Sequence, residues 1–304
     1  MLKLLSFFAT FFSLLKAAFR ELSKNDPLRM AGATAFFTIF ALPPILIIIL
    51  QSLGLFFSEE RIQGPLFRNL ETIIGKQSVD QVVTVLQAFK NMAQNWPITI
   101  GGFIFLLFVA TTLFKVVRSS LNQVWKIKVV QKKNILRGLG DRLQALAVIL
   151  IAGILFIIGL MTEALQGILG QYLVEWTPRF AHYFNSGLNH IISILMVTAW
   201  FAILFRYLPD GKPTWAVSLT GAFLTSLLFT VGKVVIRWLL TYSNINTVYG
   251  TSGSVILLLL FVFYSSLILY YGAAFTKVWG LHHHEPIKPN HYAMHYKLAE
   301  TDED

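Results

Sequence analysis

Cysteine is absent from all 304 residues, which removes disulfides, thiolate metal sites and thiol nucleophiles together. Charge is the second shortage. Only 13% of the residues are Asp, Glu, Lys or Arg, against about 25% in an ordinary soluble domain. With 55% hydrophobic residues and a mean hydropathy of +0.63, there is too little polar surface to keep a fold of this size in water. The chain reads as an all-α integral membrane protein. Acids are scarcer than bases, 15 against 25, and four of them (Glu300, Asp302, Glu303, Asp304) crowd the last five positions. The others are scattered, so no carboxylate or histidine cluster is available for a metal or a scissile phosphate. No phosphate-binding loop, HExxH or Ser/His/Asp pattern is visible. These absences argue against an enzyme, a cofactor or a resident metal. The formal charge of +10 is read as the bias that orients membrane helices and meets anionic headgroups, with no nucleic acid implied.

What is present is hydrocarbon length. A spanning helix needs about 20 mostly apolar residues, and six segments supply them: Met30–Phe57, Pro97–Val117, Leu143–Glu163, Leu188–Tyr207, Thr214–Leu239 and Ser254–Thr276. Lys and Arg in the connections total seventeen on the side carrying both termini and five on the other. The positive-inside rule then places both termini in the cytoplasm. The organisation expected is an N-terminal segment over 1–29, a six-helix domain over 30–280 with an outer loop at 58–96, and a polar cytoplasmic tail over 281–304.

In the first segment Leu4, Leu5, Phe8, Phe11, Phe12, Leu15, Phe19 and Leu22 recur at helical spacing, closed by Lys16, Arg20, Glu21 and Lys24. An amphipathic helix lying in the interface fits better than a cleaved signal peptide, because the charges end the apolar run. Val79, Val82, Val83, Leu86 and Phe89 likewise predict one or two short helices in the outer loop. The tail holds His282, His283, His284, His291 and His295 beside Glu285; adjacent histidines without a flanking fold predict a solvated, partly disordered segment rather than a metal site.

Four stretches carry a resemblance. They are AGATAFFTIFALPPILIII (31–49), LFKVVRSSLNQVW (113–125, with Phe114, Arg118, Leu121, Asn122 and Trp125), LFRYLPDGKP followed by Gly221-Ala222, and YGTSGSVILLLLFVFYSSLILYYGAAF (249–275, with Tyr249-Gly250 and Gly272-Ala273). In this order they resemble the YihY/BrkB family of bacterial inner-membrane proteins, formerly misannotated as ribonuclease BN. The resemblance implies six transmembrane helices with both ends inside the bacterial cytoplasmic membrane. It implies transport, of lipid-like molecules above all, more than any chemistry. Where the family usually has an acid after the last Gly-Ala, this chain has Ala274, which weakens any mechanism that needs a carboxylate there.

Candidate functional residues fall in three places. Pro43 and Pro44 free the carbonyls of Ile39 and Phe40, so a broken helix is expected there, serving as a gate or only as a packing kink. Thr111, Lys115, Arg118 or Ser119, and Asn122 make a polar stripe at the basic end of the second span. Lys115 and Arg118 either snorkel or meet an anionic headgroup. Ser218, Ala222, Ser226, Thr230, Lys233 and Arg237 form a second stripe on the fifth span, with Glu163 as a counter-ion or proton relay. The resulting expectation is a transporter or translocator of an anionic amphiphile, a lipid or lipid precursor, with membrane lipids and a second copy of the chain as partners. The alternative is a non-transporting scaffold or envelope-integrity factor whose polar residues only hold helices together.

Overall fold

A computed structural model describes residues 2–54, 59–74, 76–92, 96–130, 140, 142–144, 146–155, 157–159, 178–242 and 253–297. The chain runs α1 (Leu2–Ser23), α2 (Pro27–Gly54), α3 (Glu59–Ile74), α4 (Lys76–Met92), α5 (Trp96–Val124), β1 (Ile127–Val129), α6 (Arg142–Gly159) and α7 (Pro178–Tyr207). Then follow β2 (Gly211–Lys212), α8 (Trp215–Tyr242), α9 (Gly253–His282), β3 (Lys288–Pro289) and β4 (Ala293–His295). Helices dominate because a backbone buried in hydrocarbon must satisfy its own N–H and C=O groups.

Among the described residues three stretches are long and apolar enough to cross a membrane: Arg142–Gly159 in α6, Trp215–Ile236 in α8 and Val255–His282 in α9, with a shorter apolar stretch, Ile191–Tyr207, in α7. The other two expected segments fall in α2 and α5. Burial ranks the three spanning stretches: 44% of the α9 window is enclosed, 33% of α8 and 19% of α6. α9 is therefore the central post, with α8, α2 and α1 packed on it; α7 packs on α8 and α5 on α2. Outward faces carry Phe36, Phe40, Ile104, Phe108, Ile191, Leu195, Val231 and Val234, all exposed. Such faces would be an aggregation hazard in water and are the natural contact of lipid tails.

α8 and α9 approach closely, and the contact is reciprocal. Each helix carries a Gly-Ala-x-x-Thr stretch, Gly221–Thr225 and Gly272–Thr276. Thr225 Oγ1 donates back to the Gly221 carbonyl (2.7 Å) and Thr276 Oγ1 to that of Gly272 (2.8 Å). Each threonine then lies against the other helix's glycine, where a Cβ on Gly221 would overlap the Thr276 hydroxyl and a Cβ on Gly272 that of Thr225. Small residues let the backbones meet where lipid supplies no hydrophobic drive between helices.

Two sequence expectations meet the structure here. α2 passes through Pro43 and Pro44 as one helix, which shows no separate half-helices and leaves the reading of a packing kink in place. Two adjacent prolines cost only neighbouring hydrogen bonds of a single turn, and buried Ala41, Pro43, Leu46 and Ile49 keep that stretch packed. The tail is also more ordered than expected. β3 pairs antiparallel with β2 (Gly211↔Pro289, Lys212↔Lys288), β4 pairs with β1 (Ile127↔His295, Val129↔Ala293), and Ile287 is buried. Between α2 and α5, α3 and α4 fold against the bundle through Leu66, Val79, Val82 and Leu86, which meet Leu46, Ile236, Leu258 and Phe261.

Gly272→Ala should therefore lower the unfolding midpoint of the detergent-solubilised protein, by the about 1–3 kcal/mol typical of an overpacked site. Thr225→Ala placed in the same chain should recover part of that loss. An unchanged midpoint for Gly272→Ala would show that the helices do not meet there.

Candidate functional site: a basic pocket at one end of the helices

The last turns of α5 present two faces. Phe114, Val117, Leu121, Val124 and Trp125 are buried, and the Trp125 indole N–H donates to the Ala273 carbonyl at 2.9 Å, tying α5 to α9. Lys115, Ser119, Asn122 and Lys126 recur at steps of four, three and four on the other face, with Arg118 beside them. The helix stops at Lys126, which takes a left-handed φ of 57° and turns the chain into β1.

Arg118 closes on Asp210, in the connection from α7 to α8. Nη2 lies 2.5 Å from Oδ1 and Nε 3.1 Å from Oδ2. Asn122 holds Asp210 from both ends: its Nδ2 donates to Oδ2 (2.6 Å) and its Oδ1 accepts the Asp210 backbone N–H (2.9 Å). Tyr292 from the tail also hydrogen-bonds the carboxylate, and the Asn290 N–H donates to the Asp210 carbonyl (2.8 Å). The side chains of Arg118 and Asp210 are 12% and 3% exposed. Burial alone would raise the Asp210 carboxyl, but the hydrogen bond and charge of Arg118, helped by Asn122 and Tyr292, hold it below its ordinary value of 3.8.

A second polar knot lies alongside. Lys277 at the end of α9 donates to Glu21 of α1 (2.6 Å) and to the Val124 carbonyl (3.0 Å). Burial would raise the Glu21 carboxyl, yet Lys277, with Lys24 and Lys126 behind it, brings it below the ordinary value. Asn25, buried in the corner between α1 and α2, takes Lys126 Nζ on its side-chain oxygen (2.8 Å) and Gln123 Nε2 on its carbonyl (3.1 Å). Burial and the neighbouring Lys277 push the Lys126 ammonium below its ordinary range.

These contacts frame a cavity of about 930 Å³. Among the described residues six cations line it (Lys24, Lys115, Arg118, Lys126, Lys128, Lys297), with Asp26 and Asp210 as acids. Ser119, Asn122, Gln123 and Tyr296 add neutral polar groups. With Arg118 closed on Asp210, the basic character of the wall comes from lysines.

Of the residues expected from the sequence, Lys115, Arg118 and Asn122 meet here, although Arg118 and Asn122 are occupied in holding Asp210. The fifth-span stripe does not join them. Ser226 is buried and shares a 2.7 Å hydrogen bond with Thr198 of α7. Thr230 donates to its own helix at the Ser226 carbonyl (2.8 Å), and Lys233 lies over the Phe229 ring at 5.7 Å. Glu163 and the side chains of Arg237 and Pro44 lie outside the described residues, and so does the expected pairing of Glu163 with Lys233 or Arg237. Sequence reasoning missed Asp210, Glu21, Asn25, Lys126, Lys128 and Lys277. A single acid flanked by proline and glycine in Pro209-Asp210-Gly211 was the one local signal. Among the described residues no group of three or more His, Asp or Glu is arranged to hold a metal; His283 stacks on Trp279 and His295 contacts the Ile287 carbonyl.

Comparison with known proteins adds a lineage. The family model described as Virulence factor BrkB matches residues 18–295. A UPF0761 membrane protein of Delftia acidovorans is 25% identical over 84% of this chain and 60% of its own length, so this chain spans less than two thirds of that relative. UPF0761 membrane proteins of Haemophilus influenzae (22% identical, 84% of this chain, 90% of the relative) and Pseudoalteromonas atlantica (24%, 86% and 83%) are covered more fully. No solved structure matches the chain.

Removing Asp210 strands a nearly buried guanidinium, so Asp210→Ala should cost about 3 kcal/mol at neutral pH, and Arg118→Gln in the same chain should restore part of it. Additive losses in that double variant would mean that the pair is not coupled. The pH dependence follows from the sign of the shift. A folded-state carboxyl held below 3.8 contributes stability that is present above 3.8 and lost as the pH falls below it and through the lower folded-state value. Acid unfolding of the parent should accordingly be steeper below about pH 4 than that of Asp210→Asn.

Proposed function

The chain belongs to the Virulence factor BrkB family, and from that premise we propose that it is a six-span protein of the bacterial inner membrane, with both termini in the cytoplasm, that admits an anionic amphiphile to its basic pocket and moves it between leaflets. The six apolar segments and the seventeen-to-five distribution of Lys and Arg support the topology. The pocket supports the function: among the described residues six cations against two acids line one cavity, at the end of the helices that this topology assigns to the cytoplasm. Such a concentration of one sign raises the local concentration of anions and draws headgroups from an anionic leaflet. α1 contributes an amphipathic floor, with Phe12 and Phe19 exposed and Ala18 and Leu22 buried, as an interfacial helix would. In this reading catalysis and nucleic acid have no part.

A scaffold remains the second reading, because the Thr198–Ser226 contact uses polar groups to join α7 to α8 rather than to line a path. Reconstitution into liposomes separates the two. The parent should move labelled phosphatidylglycerol between leaflets faster than phosphatidylcholine. Lys115→Gln should slow the anionic lipid several-fold, while Lys212→Gln, exposed and outside the cavity, should leave it unchanged. Protein-dependent movement of no lipid would favour the scaffold.

A further inference from the structure

The pocket wall is chemically uneven, and the unevenness bears on what it would hold. Its one arginine is closed on Asp210 through two nitrogens. A carboxylate ligand is read best by a guanidinium fork, and that fork already has its carboxylate. Asp26 is 76% exposed and faces Arg29 at 3.8 Å, so it does little to offset the lysines. Lys115 from α5, Lys128 from β1 and Lys297 after β4 come from three separate elements, and among the described residues none of them forms an ion pair.

We propose that this lysine-walled pocket selects a phosphate group bearing at least two negative charges, a phosphomonoester or a diphosphate, over a singly charged phosphodiester or a carboxylate. The inference rests on the reading of the cavity as an anion site and names the anion. Three lysines line one cavity, and a ligand carrying a single charge would offset only part of theirs. Lysines are compact charges with three donors each, suited to the three terminal oxygens of a monoester. A phosphodiester has two of its four oxygens blocked by carbon and carries one charge. The volume, about 930 Å³, lies at the upper end of small-ligand pockets, about 300–1,000 Å³. That leaves room for a diphosphate or for a phosphate with the start of a larger headgroup. Ser119 and Tyr296 add neutral hydroxyls to the lining. Arg118 and Asn122 act in this scheme as positioning residues that fix the wall through Asp210.

The test is calorimetric titration of the intact detergent-solubilised protein with four probes: dioctanoyl phosphatidic acid, dioctanoyl phosphatidylglycerol, dioctanoyl phosphatidylcholine and inorganic pyrophosphate. The monoester lipid should bind at least tenfold more tightly than the diester. The Lys115→Gln/Lys128→Gln pair should erase most of that preference, with Lys297→Gln as an independent second variant and Lys212→Gln as the neutral control. Unchanged melting of each variant would confirm that the loss is one of recognition. Pyrophosphate binding as tightly as phosphatidic acid would assign the dianion to a soluble phosphate, and binding of the lipid alone would assign it to a headgroup; either supports the selection. Equal affinity for phosphatidic acid and phosphatidylglycerol, with phosphatidylcholine weaker, would overturn the dianion inference and leave the anionic-amphiphile reading standing. Equal affinity for all three lipids, or binding of none of the four probes, would overturn both.

Discussion

One ion pair organises the polar end of this molecule. Arg118 and Asp210 stand 92 positions apart in the chain, on a helix and on the connection between two others. Bringing an almost buried carboxylate to this place is costly unless its oxygens are satisfied. Here Arg118, Asn122 and Tyr292 satisfy them while the backbone on either side is drawn into pairing: Asp210 gives its N–H to Asn122 and receives that of Asn290 on its carbonyl. The next residues, Gly211 and Lys212, form the strand that meets β3. Helix, connection and tail are therefore registered against one charged group. Gly211 is required beside it, since a Cβ there would strike Ile127, Ile287 and Trp125.

Hydrocarbon length made the apolar segments legible, because the bilayer enforces a minimum run on any spanning helix. The polar stripe on α5 was legible for the same reason in reverse: charges at helical spacing beside a membrane segment must find a common face. What could not be read was the partner of each charge. Lys277 and Glu21 are 256 positions apart, and nothing in the local pattern of either names the other. The short strands were hidden as well. Residues 288–295 have a loop's composition, and their pairing depends on β1 and β2 being brought to them by the fold. The two prolines left two readings open because their cost is local, whereas the packing around Ala41 and Leu46 keeps the segment helical.

The two polar stripes illustrate how similar sequence patterns part company. On α8, Ser226 and Thr230 spend their hydrogen bonds on Thr198 and on their own helix. On α5, Lys115 faces a cavity and has no acid to meet among the described residues. Hydroxyls can turn back onto a carbonyl four residues away and become part of a packed interface; an ammonium has no acceptor of its own and must find charge or water elsewhere. Ala274 belongs to the packed category. It is fully buried next to the carbonyl that receives Trp125, a place where a carboxylate would need a partner of its own.

The pairing of β4 with β1 has a temporal consequence. During synthesis α5 and β1 leave the ribosome well over a hundred residues before the segment that supplies Tyr296, Lys297 and the Tyr292 contact to Asp210. For that interval the lysines of α5 and β1 lack the wall that the tail later supplies. Completion of the pocket is thus a late event of biogenesis, tied to the arrival of α9. The assembling chain carries these lysines first on two elements alone and only afterwards with the tail beside them.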